Sequence, residues 1–336
     1  MTTSGAARRC RFKAKRETTV ASQRLVGGVR DHHHIDPAGD AAAQRIPSRG
    51  CRIAGPSWPW RRKLQRPSGR QRTNTQETGL FVSDVRYDEI QVANEFDQVR
   101  DRRPECVEIW CRHIATHLDA HNGLDRPQLV VDVGSGTGIW SEAIAVRCGV
   151  SVVGVEPSTG MRTRAATAHR HTDVCYVGGS ADSLPLRSGS ASGAWLSTVI
   201  HQFPDLRAAA SELRRVLAPH APVMIRSSFP GRHDEHEHFQ RFPTALALAS
   251  TWPRLGEVIT VFEETGFSCD TLQRVREPTF DTYDEFLELL PAMRRSDTAL
   301  IGIDDEQWAR GIAKIRQARD RGEQPWLLGL DFLVLR

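Results

Sequence analysis

The sequence predicts an α/β fold in which helices cover both faces of a mostly parallel sheet. From about residue 80 to the end, short apolar runs alternate with helical segments of about 10–15 residues, the order that βαβ units require. One of those runs, 129–133 (LVVDV), leads straight into a glycine-rich turn.

Helices are expected over 87–97 (YDEIQVANEFD) and 104–121, then the strand at 129–133 and a helix running through Cys148. A second strand follows at Val150–Val155, a helix at 157–170 and a third strand at 174–177. Ala194–Ile200 reads as a fourth strand, 205–217 as a helix closed by Pro219, and 222–228 as a fifth strand. A helix at Val258–Glu264, a strand at 267–277, helices near 281–295 and 304–319, and a terminal strand at Leu327–Leu335 complete the pattern.

The chain has 336 residues, of which 39% are hydrophobic, enough for a packed core. No apolar run approaches the roughly 18–20 residues that span a bilayer, so no membrane insertion is expected. Seven cysteines, at 10, 51, 106, 111, 148, 175 and 269, form no CxxC pair. Neither a disulfide framework nor a zinc ribbon is expected, and a cytoplasmic location follows.

The formal charge of +4 averages two unlike pieces. Residues 1–75 hold 17 Lys+Arg against four Asp+Glu, which leaves the rest of the chain at −9. That acidic remainder gives no electrostatic footprint for nucleic acid. The first 78 residues, rich in Arg, Ser, Gly and Pro and without apolar periodicity, read as a disordered basic extension. An Arg-rich targeting segment and a nucleic-acid tether are the functional readings of the same tract. Residues 79–336 form the domain.

The chemistry is concentrated in Val130-Val131-Asp132-Val133-Gly134-Ser135-Gly136-Thr137-Gly138. Glycines at alternate positions after a buried strand make a tight turn that a ligand can approach closely. The spacing is GxGxG, and Ile139 stands where the dinucleotide fingerprint GxGxxG has its third glycine. Asp132, two residues before the turn, suits a cationic or hydrogen-bond-donating ligand better than a diphosphate. Glu156 ends the second strand twenty residues after Gly136, placed to accept both hydroxyls of a ribose, a feature that fits NAD equally well and so indicates a nucleoside without choosing one. Asp182, in the loop Gly179-Ser180-Ala181-Asp182-Ser183-Leu184-Pro185, is positioned to accept from an adenine amine.

From these segments residues 83–336 resemble the class I S-adenosylmethionine-dependent methyltransferases, in particular the small-molecule branch similar to enzymes of ubiquinone and menaquinone biosynthesis. The resemblance implies a Rossmann-like, doubly wound, seven-stranded sheet with its last strand antiparallel. It implies that Asp132, Gly134, Ser135, Gly136, Thr137 and Gly138 line the methionine part of S-adenosyl-L-methionine. Glu156 would hold the ribose, Pro157-Ser158 and Met161 would flank the adenine, and Ala181-Asp182 would contact it. Ala93-Asn94-Glu95-Phe96-Asp97 resembles the family's lid helix, and Arg103-Pro104 its contact to the cofactor carboxylate. Phe96 replaces the family's Tyr, whose hydroxyl Tyr87 would have to supply. Ser197 through Phe203 lies where the family's fourth strand enters the active site, and Pro219-His220 replaces the family's Pro-Gly turn.

The implied reaction is in-line displacement of a methyl group, which asks the protein chiefly for alignment and exclusion of water. His201, just past the fourth strand, is the candidate base, with pocket lining as its alternative role. His233-Asp234-Glu235-His236-Glu237-His238 has the composition of a metal site, but a solvated, charged helix start is the expectation, so no metal is assigned. His113, His117 and His121 share a helical face and read as structural. The aromatic-rich C-terminal third, with segments at about 229–250 and 281–319, is expected to form a helical cap over a small-molecule acceptor. Segment 197–203 lacks the Asn/Asp-Pro-Pro-aromatic run of enzymes that methylate base amines, so no nucleic-acid partner is expected. A secondary metabolite or quinone-like acceptor and a monomer or homodimer complete the reading. An NAD(P)-dependent oxidoreductase and a non-catalytic nucleotide-binding protein are the alternatives.

Overall fold

In a computed structural model of the chain, residues 90–99, 103–119 and 128–336 are described. The expected extension 1–78, the domain boundary at 79, Tyr87 and His121 lie outside them. Helices α1 (Ile90–Val99) and α2 (Pro104–Asp119) precede β1 (Leu129–Val133), α3 (Ile139–Cys148), β2 (Ser151–Val155), α4 (Thr159–Ala168) and β3 (Val174–Val177). Then come β4 (Gly193–Ser197), α5 (Leu206–Val216), β5 (Val223–Ser227), α6 (Glu237–Arg241), α7 (Pro243–Ala249), α8 (Leu255–Glu264) and β6 (Cys269–Glu277). Helices α9 (Tyr283–Ser296) and α10 (Asp305–Asp320) separate β6 from β7 (Leu328–Leu335).

The strands form one seven-stranded sheet in the order β3-β2-β1-β4-β5-β7-β6. Strand β7 runs antiparallel to both β5 and β6, and every other pairing is parallel. The order reverses between β1 and β4, the switch point at which open α/β sheets leave a crevice at their carboxyl edge. Alternate residues of each strand face opposite layers. Val131, Leu196 and Ile225 pack with α5 and α8, whereas Val130, Trp195 and Met224 pack with Trp110 and Ile114 of α2 and Trp140 and Ile144 of α3. A third cluster, Phe239, Phe242, Phe280, Phe286, Leu290, Leu300 and Ile315, gives α6, α7, α9 and α10 a core of their own.

Local signals explain the boundaries. Ser158, Asp205, Thr282 and Asp304 cap α4, α5, α9 and α10, each accepting from a backbone N–H three residues on. Strand β4 is shorter than expected. It ends at Ser197 because Thr198 takes φ +50°, a left-handed conformation that breaks the ladder, and a 3-10 turn occupies Ile200–Gln202. Among the described residues no helix is long and apolar enough to cross a membrane.

Candidate active site

The glycine turn sits at the carboxyl end of β1, and its shape is dictated by what surrounds it. Gly134 (φ +69°) and Gly138 (φ +90°) adopt left-handed backbone. A Cβ at Gly134 would run into the Val199 side chain, and one at Gly138 into the Tyr176 ring. The Tyr176 hydroxyl donates to the His169 carbonyl at 2.7 Å, which fixes that ring against the turn. Only glycine satisfies both the torsion and the space.

Glu156 is held over the turn. Its Oε2 accepts from the Gly136 N–H at 3.0 Å and its Oε1 from the Ser158 N–H at 2.9 Å. These bonds fix the carboxylate in direction. Pro157 and Met161 follow at the start of α4, where the Arg162 guanidinium donates to the Glu156 and Pro157 carbonyls, both at 2.7 Å. Ser135 contributes a buried hydroxyl with no hydrogen-bond partner. Asp182 is bound to the Ser180 hydroxyl, which closes the loop after β3.

Asp132 is sealed in the β1 interior at 2% exposure, where Oδ2 accepts from the Ser141 hydroxyl of α3 at 2.6 Å. Burial pushes its pKa up to about 7; the Ser141 bond pulls it down and the nearby Glu156 charge raises it further. The carboxyl thus ties the strand to the helix that follows the turn.

Helix α1 lies over the turn, with Phe96 Cε1 3.9 Å from where a Gly136 Cβ would stand. Ion pairs fix it, among them Arg164 of α4 with Asp97 at 2.6 Å and Arg295 of α9 with Glu95 at 2.7 Å. Arg103, the residue expected at the cofactor carboxylate, pairs with Asp281 at 2.9 Å and Glu285 at 2.6 Å, fastening the start of α2 to the start of α9.

His201 stacks on Trp252 with ring centroids 4.0 Å apart, and its Nε2 lies 3.5 Å from Thr298 Oγ1. The expected solvated start of a helix at 233–238 is corrected. Helix α6 begins only at Glu237, and His233, His236 and Glu237 are each under 5% exposed. Burial pushes the His233 pKa down to about 4 and His236 well below its ordinary value. His236 Nε2 lies 2.8 Å from the Gly329 carbonyl, and Glu237 accepts from Arg241 and Tyr283, so the segment seals α6 onto β7 and α9. His113 and His117 pack against Phe332, as structural histidines would.

A further group was not anticipated. Arg226 of β5, 4% exposed, pairs with Glu277 at the end of β6 at 2.6 Å and donates to the Ser197 hydroxyl at 3.1 Å. Its guanidinium lies 5.1 Å from the Trp110 ring and 5.2 Å from the Trp140 ring. The Trp110 indole N–H donates to the other Glu277 oxygen. An arginine inside the otherwise apolar run VMIRS was the available signal, since fully buried arginine is nearly always paired.

Comparison with known proteins agrees with this geometry. Residues 131–225 match the family described as "Methyltransferase domain". A demethylmenaquinone methyltransferase of Paenarthrobacter aurescens (strain TC1) is 28% identical over 143 residues, which are 40% of this chain and 54% of that protein. The chain thus spans about half the length of that curated relative. A solved structure from Anabaena variabilis, assigned to methyl transfer in an antibiotic biosynthesis pathway, is 21% identical, with a TM-score of 0.54 over 68% of this chain and 96% of that one. That likeness establishes the fold.

Proposed function

We propose that this chain, whose residues 131–225 are matched by the methyltransferase domain, transfers a methyl group from S-adenosyl-L-methionine to a small-molecule acceptor. The observation that carries the reading is the pairing of a Cβ-free turn with Glu156, held in direction by Gly136 and Ser158. The residues fit the cofactor. A buried Ser135 hydroxyl awaits a partner, and the glycines leave room for a ligand to lie against the backbone.

Asp132, Gly134, Ser135, Gly136, Thr137 and Gly138 would hold the methionine end, and Glu156 the ribose. Pro157, Met161, Ala181 and Asp182 would surround the adenine, and Ser197 would border the methyl side. When bound, the cofactor supplies a methyl group on a positively charged sulfur. The chain's own task is to orient the acceptor in line and exclude water, which α1 does by lying over the turn. Arg103 would meet the cofactor carboxylate from the start of α2, which its pairs with Asp281 and Glu285 hold against α9. His201 is the candidate proton acceptor, oriented by its stack on Trp252. The chain works as a monomer or homodimer in the cytoplasm, without nucleic acid.

Calorimetry separates this from nicotinamide-dependent chemistry. S-adenosylhomocysteine should bind and NADH should not; the reverse would overturn the proposal. Glu156→Ala removes two charge-assisted acceptors and should weaken S-adenosylhomocysteine at least about tenfold. His201→Ala should lower kcat with S-adenosylhomocysteine affinity unchanged, and an unaltered kcat would reduce His201 to pocket lining.

A further inference from the structure

Helix α1 is held down by charge more than by apolar packing. Of its described side chains only Ala93 and Val99 are buried apolar groups, and both are small. An element with so little buried apolar surface parts from the body easily, so its polar contacts decide how often it opens. It closes on the turn itself. Phe96 lies against Gly136, while Asp97 Oδ1 and Thr137 Oγ1 are buried atoms without hydrogen-bond partners. Burial raises the Asp97 pKa, but His169, Thr137 and Arg164 together hold it below the ordinary carboxylate value.

His169, the residue that closes α4, stands between α1 and α3. Its Nδ1 lies 2.7 Å from Glu142 Oε2 of α3 and its Nε2 3.6 Å from Asp97 Oδ2 of α1. Arg164 of α4 pairs with the same Asp97 oxygen, and the Tyr176 hydroxyl of β3 holds the His169 carbonyl. Burial lowers the His169 pKa, but the bonds and charges of Asp97 and Glu142 outweigh it and raise it above the ordinary value. A histidine serves two carboxylates only as imidazolium, because the neutral ring has a single N–H. With that proton on Nδ1 for Glu142, the Nε2 lone pair meets Asp97 and repels it.

We propose that His169 is a proton-operated clasp on a releasable lid: as imidazolium it bridges Glu142 and Asp97 and holds α1 shut over the turn, and as the neutral ring it lets α1 open and the cofactor exchange. The gating of cofactor rests on the methyl-transfer reading; the clasp itself does not. The closed lid binds the proton more tightly than the open one, in which histidine titrates near its ordinary value of about 6.5. Closure is therefore at full strength below about pH 6.5 and weakens as pH rises through the raised value of the closed state. The Arg164–Asp97 and Arg295–Glu95 pairs remain, so α1 opens transiently rather than detaching.

The test follows the full, unliganded chain by hydrogen exchange from pH 6 to pH 8, with amide rates in α1 expressed as protection factors. Protection should fall at least threefold, the change that about half a pKa unit between closed and open lid produces. His169→Gln, which keeps an N–H donor and cannot titrate, should give a flat profile. Glu142→Gln should move the midpoint to lower pH. Asp132→Asn should leave the fall in place, because Asp132 bonds Ser141 and not the clasp. The dissociation rate of S-adenosylhomocysteine should rise at least threefold more over the same range in the wild type than in His169→Gln. A flat wild-type profile, a fall that survives His169→Gln or vanishes in Asp132→Asn, or an unmoved midpoint in Glu142→Gln overturns the clasp. The expected exchange with equal changes in dissociation rate overturns the gating alone. Failure to bind S-adenosylhomocysteine overturns the methyl-transfer reading and the gating with it, and the exchange profiles still decide the clasp.

Discussion

Glu277→Ala should destabilise the protein by about 3–5 kcal/mol, because it leaves the Arg226 guanidinium buried without its counter-charge. Arg226 is 4% exposed and cannot turn to water, and the two tryptophan rings beside it supply only part of what a carboxylate gives. The Trp110 indole N–H loses its acceptor in the same step. At about 2–4 °C per kcal/mol for a domain of this size, the melting temperature should fall by about 6–20 °C. The pair need not be intrinsically stabilising, since two buried charges give up their hydration to meet. Arg226→Met combined with Glu277→Leu should therefore recover most of the loss. Thermal unfolding of the three proteins checks this, and a single-variant loss below about 1 kcal/mol would contradict it.

The sheet was legible because its strands are buried on both faces. LVVDV, SVVGV and VMIRS are short, β-branched and followed by turn or cap residues, so their period and length fix them as strands of a parallel sheet. The glycine turn and Glu156 were legible for a different reason, that their roles depend on backbone shape and on position at a strand end. What the sequence concealed was set by tertiary packing. Nothing local distinguishes His233, His236 and Glu237 from an exposed charged turn; the apolar cluster of α6, α7, α9 and α10 is what buries them. Arg103 likewise carries no mark of its partners, because Asp281 and Glu285 lie 178 and 182 residues further on. Thr198 misled in the opposite sense. A β-branched residue extends a strand by propensity, yet here it takes the left-handed conformation that turns the chain into the site.

Asp132 makes stability depend on pH in an unusual direction for a carboxylate. Its folded pKa is raised to about 7, whereas in the unfolded chain it ionises near 3.8. Between those values the folded state holds a proton that the unfolded state has lost, so this stabilisation is complete below about pH 4 and disappears as pH rises through 7. With about 1.4 kcal/mol per pKa unit, the loss is on the order of 4 kcal/mol. Asp132→Asn keeps an acceptor for Ser141 and cannot ionise. Relative to the variant, the unliganded wild-type chain should therefore melt at steadily lower temperature from pH 5 to pH 8, and parallel curves would refute the account. The same burial couples Asp132 to the ligand. A cationic group near the turn favours the ionised carboxyl, so S-adenosylhomocysteine binding near pH 6.5 should release protons in the wild type and fewer in Asp132→Asn. Calorimetry in buffers of different ionisation enthalpy reads that difference directly, and equal proton release in both would place the ligand's ammonium away from Asp132.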